Sequence, residues 1–340
     1  MIFVTGGTGL IGSHLLLELV SAGKEVKVLR REKSDIEQVK KLFSFYSDDP
    51  EGLFGKINWV TGDLLDYFTL EKYLEGVNEV YHCAATVSFD SGRRAEMIAD
   101  NVEGTANIVN ASLKNGVHRI CHVSSVAALG NAGKGRTVDE LTNWVPSKKV
   151  SGYSESKFFS EMEVWRGIEE GLDAVIVNPS IVLGAGKLNS GSSQFFKLVW
   201  DGLKFYTKGV TGFVDVKDVV KAMVMLMSDP DFSRYKNQRY LLNSGNLSYQ
   251  ELFNRIADFY EKPRPKYFAT PFFLNLLCRV SVLIKPIYKK LPAITFETAA
   301  AANSTNLYDG SKIVRLMNFK YTPLTISIRH VADYYLTVKE

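Results

Sequence analysis

The stretch Val4-Thr5-Gly6-Gly7-Thr8-Gly9-Leu10-Ile11-Gly12 decides how this chain is read. It follows the apolar run Met1-Ile2-Phe3-Val4 and opens a segment of helical period: Leu10, Ile11, His14, Leu15, Leu17, Glu18, Leu19. Strand, tight glycine turn and helix, in that order, give a glycine motif its meaning. Gly6 can take the backbone angles of the sharp turn, and Gly9 places no side chain between the backbone and an anion. Gly12 lets the helix pack closely on the strand. The free N–H groups and positive dipole end of the helix then face a diphosphate. Thr8, Leu10 and Ile11 complete the ligand-facing set.

The chain as a whole excludes several classes. Its 340 residues suffice for one elaborated domain or two. The 41 Lys and Arg are scattered among 37 Asp and Glu, so no clustered basic surface argues for nucleic acid. The first strand starts at residue 1 with no basic region ahead of it, so no signal peptide is expected. No run of 18 uncharged apolar residues predicts a spanning helix. Cys83, Cys121 and Cys278 form no CxxC pair and read as buried free thiols of a reducing compartment, most simply the cytoplasm. No metal site is read from them.

Past the first helix, Glu25–Leu29 reads as a second strand, followed by Arg30 and Arg31. About 20 residues after such a glycine turn, an acidic side chain would take a ribose 2′-hydroxyl. An arginine fork suits a 2′-phosphate instead, and the pair, with Arg30 first, predicts NADP(H) over NAD(H). A helix is expected through Val39–Phe45, and strands over Ile57–Thr61 and Val77–Cys83. Asp63, with Leu64 beside it, is placed either to accept from an adenine amino group or to cap a helix. Ala84 and Ala85 end a central strand with room for a ligand against the backbone. A long helix at Ala95–Asn115, a strand at Arg119–Val123, a helix to about Glu170 and a strand at Ala174–Val177 follow. Six strands alternating with helices predict an α/β fold with an open, doubly wound parallel sheet.

Beyond residue 185 the alternation lapses. Helices are expected at Ser193–Leu203 and Val219–Met227, the latter capped by Asp215 or Asp218, with a strand at Arg239–Leu242. Ser248-Tyr249-Gln250-Glu251 resembles a capping box for Leu252–Tyr260. The division expected is a dinucleotide-binding domain over 1–185, to which 203–243 returns. A smaller, mostly helical substrate region takes 186–202 and 244–340.

Asn101, Ser125, Tyr153 and Lys157 make a consistent proton-transfer set. Tyr153 and Lys157 are four apart and share a helix face. A phenol titrates near 10, but a neighbouring ammonium and an oxidised nicotinamide ring favour the phenolate and lower that value. Tyr153 would then exchange a proton with a carbonyl oxygen as hydride arrives or leaves. Ser125 would hydrogen-bond the same oxygen, Lys157 would hold the nicotinamide ribose, and Asn101 would hold a water relay to the lysine.

Together the TGxxGxxG turn of Thr5–Gly12, the Ser125 strand end, the YxxxK of Tyr153 and Lys157, and the segment Asn178-Pro179-Ser180-Ile181-Val182-Leu183-Gly184 resemble extended short-chain dehydrogenase/reductases, the NAD(P)-dependent epimerase/dehydratase family. The likeness runs from residue 1 to about 243, with a weaker echo at Asp309–Phe319. Arg30 and Asn178-Pro179-Ser180 look most like the dihydroflavonol reductase and 3β-hydroxysteroid dehydrogenase branch. The resemblance implies a Rossmann fold, nicotinamide contact by Pro179, Ile181 and Val182, and approach of the Ala84–Thr86 backbone, Thr86 included, to the diphosphate and ribose. It also implies a monomer or a homodimer paired through the helices at 95–115 and 153–170. Val126-Ala127-Ala128 stand where nucleotide-sugar dehydratases of the family carry an acidic pair, which argues against dehydration.

The expected function is NADP(H)-dependent interconversion of a carbonyl and an alcohol on a bulky, apolar small molecule. An NAD-dependent nucleotide-sugar epimerase is the runner-up, and a catalytically silent cofactor-binding regulator stands third. In Pro271–Pro292, Phe272, Phe273, Leu276, Leu277, Val280, Leu283, Ile284 and Ile287 recur at helical spacing, with Arg279, Lys285, Lys289 and Lys290 among them. This segment reads as a core-facing helix, an apolar substrate wall, or a peripheral membrane contact interrupted by Pro286.

Overall fold

The opening apolar run becomes β1 (Ile2–Thr5), whose residues are at most 7% exposed because the sheet is covered on both faces. The computed structural model describes residues 1–339 except 89–90, 134, 148–149, 189, 229, 231 and 285–295. β2 (Val26–Arg30), β3 (Ile57–Thr61), β4 (Glu79–His82) and β5 (Arg119–Val123) join β1 in a seven-stranded sheet. Strands Ala174–Pro179 and Gln238–Leu242 complete it on the β5 side. Every pairing is parallel, in the order Gln238–Leu242, Ala174–Pro179, β5, β4, β1, β2, β3. The sequence order reverses between β1 and β4. The carboxyl ends of these two strands therefore flank the crevice where open α/β sheets bind ligands.

Alternate residues of β1 serve two cores. Ile2 and Val4 pack with Leu15, Leu16 and Leu19 of α1 (Leu10–Ser21), together with Val219 and Met223 of helix Val216–Ser228. Phe3 turns to the other face. There it meets Leu70 of α4 (Tyr67–Tyr73), Ile108 and Val109 of α5 (Arg94–Lys114) and Val164 of α6 (Gly152–Glu169). Between β2 and β3 lie α2 (Glu37–Tyr46) and the short α3 (Pro50–Gly55). A further apolar cluster joins helices Ser193–Trp200, Tyr249–Phe259 and Leu324–Lys339. No helix among the described residues is long and apolar enough to cross a membrane.

Several local expectations are corrected. The helix after residue 193 ends at Trp200. The next begins at Val216, and Asp215 caps it by accepting from the Lys217 N–H at 2.8 Å. Asp218 lies inside that helix and binds the Thr322 N–H and hydroxyl instead. Ser248 does cap its helix, accepting from the Glu251 N–H, but Glu251 turns forward to Arg255 rather than back to close a box. In 271–292, Pro271–Ile284 is helical, with Leu274 and Cys278 buried and Phe272 and Leu276 exposed. Lys285, Pro286, Ile287, Lys289 and Lys290 lie outside the described residues.

Candidate active site

The glycine turn closes through a Gly9 N–H to Gly6 carbonyl bond of 2.9 Å. Gly6 has φ +70°, and a Cβ there would stand 2.6 Å from the Ala84 amide nitrogen. The turn therefore lies flat against the end of β4, with Thr5 Oγ1 accepting from the Ala84 N–H at 3.3 Å. A Cβ on Gly12 would overlap the Gly6 carbonyl oxygen. α1 starts at N-cap Gly9 with no side-chain cap and no acid in its first turn. Its first N–H groups and positive dipole end are thus left for an anion.

A cavity of about 730 Å³ opens over this turn. Thr8, Gly9, Leu10 and Asp63 line it, with Gly184, Gly186 and Lys187 on the facing wall. Asp63 Oδ1 accepts from the Leu65 N–H in its own turn, and its carboxylate remains exposed. Leu64 is directed elsewhere: it packs over Gly104 of α5. Ile11 packs into the α1 face of the core. Of the arginine pair, Arg31 lines the cavity and Arg30 does not; the Arg30 guanidinium turns to the Glu32 carbonyl at 3.4 Å. Arg31 and Ser34 form a closed turn, with Ser34 N–H on the Arg31 carbonyl at 2.9 Å and Arg31 N–H on Ser34 Oγ at 3.1 Å. Lys33, Glu32 and Asp35 share that rim.

The proton-transfer set meets at the end of β5. Ser151 caps α6 and so fixes where Tyr153 and Lys157 leave the helix. The Tyr153 hydroxyl is hydrogen-bonded to Ser125. Burial pushes this phenol up, and the Ser125 bond only partly opposes it, so the expected lowering by Lys157 is not found. Lys157 is buried and donates to the Val123 carbonyl at 3.0 Å. Burial lowers it to about 8. Asn101 is also committed differently from expectation. Its Oδ1 accepts from the Thr86 N–H at 2.7 Å, and its Nδ2 donates to the Thr86 carbonyl at 2.8 Å and to Ser156 Oγ at 3.2 Å. Both amide protons are used, so this side chain clamps the 84–86 segment to α6 rather than holding a water. Two glycines allow the close approach of α5 and α6: a Cβ on Gly152 would meet Arg94 Cγ at 2.7 Å, and one on Gly167 would meet Val109 Cγ1 at 2.5 Å.

Glu161, unanticipated from sequence, supports this cluster from behind. It is buried one turn past Lys157 and accepts from Ser124 Oγ at 2.6 Å and Asn178 Nδ2 at 2.7 Å. Asn178 also donates to the Ser125 carbonyl at 3.1 Å, tying the strand that ends in Pro179 to the Ser125 turn. Pro179 is buried at that strand end, and Ile181 and Val182 follow in a half-buried strand paired with Phe213–Asp215. Arg239 faces Glu161 at 3.4 Å. The spacing 153, 157, 161 was the available signal, since all three lie on one helical face. Glu140 is structural: it accepts from the Leu241 N–H at the sheet edge.

The profile of the NAD dependent epimerase/dehydratase family matches residues 2–240. A chain of Synechocystis sp. that carries the name of a dihydroflavonol 4-reductase is 28% identical, over 92% of this chain and 88% of its own length. Cinnamoyl-CoA reductase 1 of Petunia hybrida is 29% identical, over 73% of this chain and 75% of its own. A solved dTDP-glucose 4,6-dehydratase of Streptomyces venezuelae, with NAD bound, superposes with a TM-score of 0.76 at 20% identity, over 99% of this chain and 97% of that one. That last likeness speaks for the fold.

Proposed function

Because the chain belongs to the NAD dependent epimerase/dehydratase family and is an NAD(P)-dependent enzyme of the extended short-chain dehydrogenase/reductase type, we propose that it interconverts a carbonyl and an alcohol on a bulky, apolar small molecule, with NADP(H) preferred and Tyr153 as general acid and base. The hydrogen bond of Tyr153 to Ser125, with buried Lys157 one turn away, carries this reading. The residues fit a dinucleotide: the turn has no room for a Cβ at Gly6 or Gly12, and a cavity of about 730 Å³ continues from it along the ends of β2 and β3.

When bound, the reduced nicotinamide supplies hydride to the carbonyl carbon. Tyr153, kept protonated by its burial, gives its phenolic proton to the carbonyl oxygen. Ser125 Oγ hydrogen-bonds that oxygen and holds it against the phenol. The Ser125 hydrogen bond opposes the burial that raises the phenol, and Lys157, held on the Val123 carbonyl one turn away, would hold the nicotinamide ribose. Asn101 and Glu161 hold the surrounding backbone through Thr86, Ser124 and Asn178.

Arg31, with Ser34 folded beneath it and Lys33 beside it, supports recognition of a 2′-phosphate. The names of the reductase relatives support carbonyl chemistry on an extended organic substrate. A small-molecule substrate and a reducing, cytoplasmic setting, in which three free thiols stay reduced, belong to the same reading. Glu32 and Asp35 on the rim favour the second reading, an NAD-dependent nucleotide-sugar epimerase, because a carboxylate there can take a ribose hydroxyl.

The test is turnover of NADPH with a panel of apolar ketones and aldehydes by wild type and Tyr153→Phe. The variant should bind NADPH within a few-fold of wild type and lose turnover by at least about a hundredfold. Retained turnover sinks the role given to Tyr153.

A further inference from the structure

His82 ends β4, is buried, and takes no part in the chemistry above. Its two ring nitrogens are both engaged: Nδ1 lies 2.7 Å from Thr5 Oγ1, and Nε2 lies 3.1 Å from Thr105 Oγ1. Counting protons along this line fixes the tautomer. Thr105 Oγ1 donates its proton to the Asn101 carbonyl at 2.8 Å, so towards His82 it can only accept, and Nε2 must carry the hydrogen. Nδ1 is then an acceptor and receives the Thr5 hydroxyl proton, while Thr5 Oγ1 accepts from the Ala84 N–H. With the proton on Nδ1 instead, the Thr5 hydroxyl would have no acceptor in this set, and Thr105 would have to serve two acceptors with one proton.

We propose that His82 is a positioning residue that, as the neutral Nε2–H tautomer, locks the glycine turn to the helix bearing Asn101. The chain runs from the Ala84 N–H through Thr5, His82 and Thr105 to the Asn101 backbone. The Asn101 side chain then holds the backbone N–H and carbonyl of Thr86 and reaches Ser156 on α6. The Ala84–Thr86 segment that follows β4 is thus held at its first residue by Thr5 and at its last by Asn101. His82 sets the distance between those two holds. His122 stacks on the His82 ring, with centroids 5.2 Å apart and planes 30° apart, and fixes its plane. Thr105 bonding back to residue i−4 is by itself ordinary for a helical threonine; accepting from His82 as well is what makes it a link.

The kinetic part of this assignment rests on the reading of Tyr153 as proton donor, and the tautomer does not. The experiment is 15N NMR of protein labelled at its five histidines, with His82→Gln identifying the signal. Wild type should show one neutral Nε2–H pattern, unchanged between about pH 5 and 8. An Nδ1–H pattern, averaged tautomers, or titration within that range overturns the proposal. Thr105→Val should lower kcat about tenfold, the value of one lost hydrogen bond, with NADPH Kd changed less than about threefold. Thr105→Ser, which keeps the hydroxyl, should restore kcat. Equal kcat in Thr105→Val and wild type overturns the positioning role. Failure of the protein to bind NADPH would sink the cofactor reading, and the NMR pattern would still decide the tautomer.

Discussion

Lowering the pH from about 7 to about 5 should strip this fold of about 6 kcal/mol of stability, through three histidines that must stay neutral to remain where they are. His14, His82 and His122 are 5%, 2% and 1% exposed. Burial, together with the charge of Lys217, brings His14 down to about 4 despite its bond to the Leu10 carbonyl. Burial and the charge of Lys157 bring His82 to about 3. Burial, His82 and Lys157 hold His122 well below the usual range. The unfolded chain titrates near 6.5, so between that value and the folded values it binds more protons than the fold does. Stability therefore rises with pH there, and is lost as pH falls from about 6.5. For each group the loss from about pH 7 to about pH 5 is about 2 kcal/mol, so three lose about 6, against a total of roughly 5–15 for a domain. Glu140 and Asp218, raised by burial, offset a part, because their protonation is easier in the fold. Urea unfolding followed by tryptophan fluorescence at several pH values measures this directly. His14→Gln should flatten the slope by about a third. A midpoint unchanged between about pH 7 and 5 would refute the reasoning.

Further expectations concern the site. Gly12→Ala drives a methyl into the Gly6 carbonyl and should abolish NADPH fluorescence enhancement, whereas Gly23→Ala, with open space around it, should leave cofactor binding intact despite some strain at φ +71°. Arg31→Ala should weaken NADPH by about 10- to 100-fold and NADH by less than about threefold, the value of one or two charge-assisted hydrogen bonds. Arg30→Ala should change the ratio little, and the reverse ranking in a binding titration would return the phosphate role to Arg30. Lys157, lowered to about 8, loses its ammonium as pH rises through that value. If the ammonium is required, kcat/KM for the cofactor should fall about tenfold per unit above about pH 8. The same depressed value makes the group's contribution to stability grow as pH rises from about 8 to 10, since the unfolded chain then holds the extra proton.

How far the sequence carried is seen by comparing residues. The glycine turn, the parallel sheet and the Ser125–Tyr153–Lys157 cluster were legible because each rests on local period and spacing: a strand next to a turn, or two residues four apart on a helix. Arg30 and Arg31 were not separable, since which of two adjacent side chains enters a cavity depends on the twist at the end of β2 and the turn closed by Ser34. The fate of Asn101 was hidden for a similar reason. Its partners Thr86 and Ser156 are 15 and 55 residues away, and only the approach of α5 and α6 at Gly152 and Gly167 brings them together. His82 gave no sequence signal, because a buried polar group is recognised by the partners that satisfy it, whereas Glu161 was marked only by its spacing of four from Lys157. Asp218 looked like a cap and instead holds Thr322, a contact across 104 residues.

The most direct test of the account is a fluorescence titration of the purified, cofactor-stripped protein with NADPH and NADH, wild type beside Arg31→Ala. The account predicts exchangeable NADPH bound at least about tenfold more tightly than NADH by wild type, with that preference lost in the variant. NAD retained through purification, with NADH bound as well as NADPH and no effect of Arg31→Ala, would contradict it and bring nucleotide-sugar epimerisation forward.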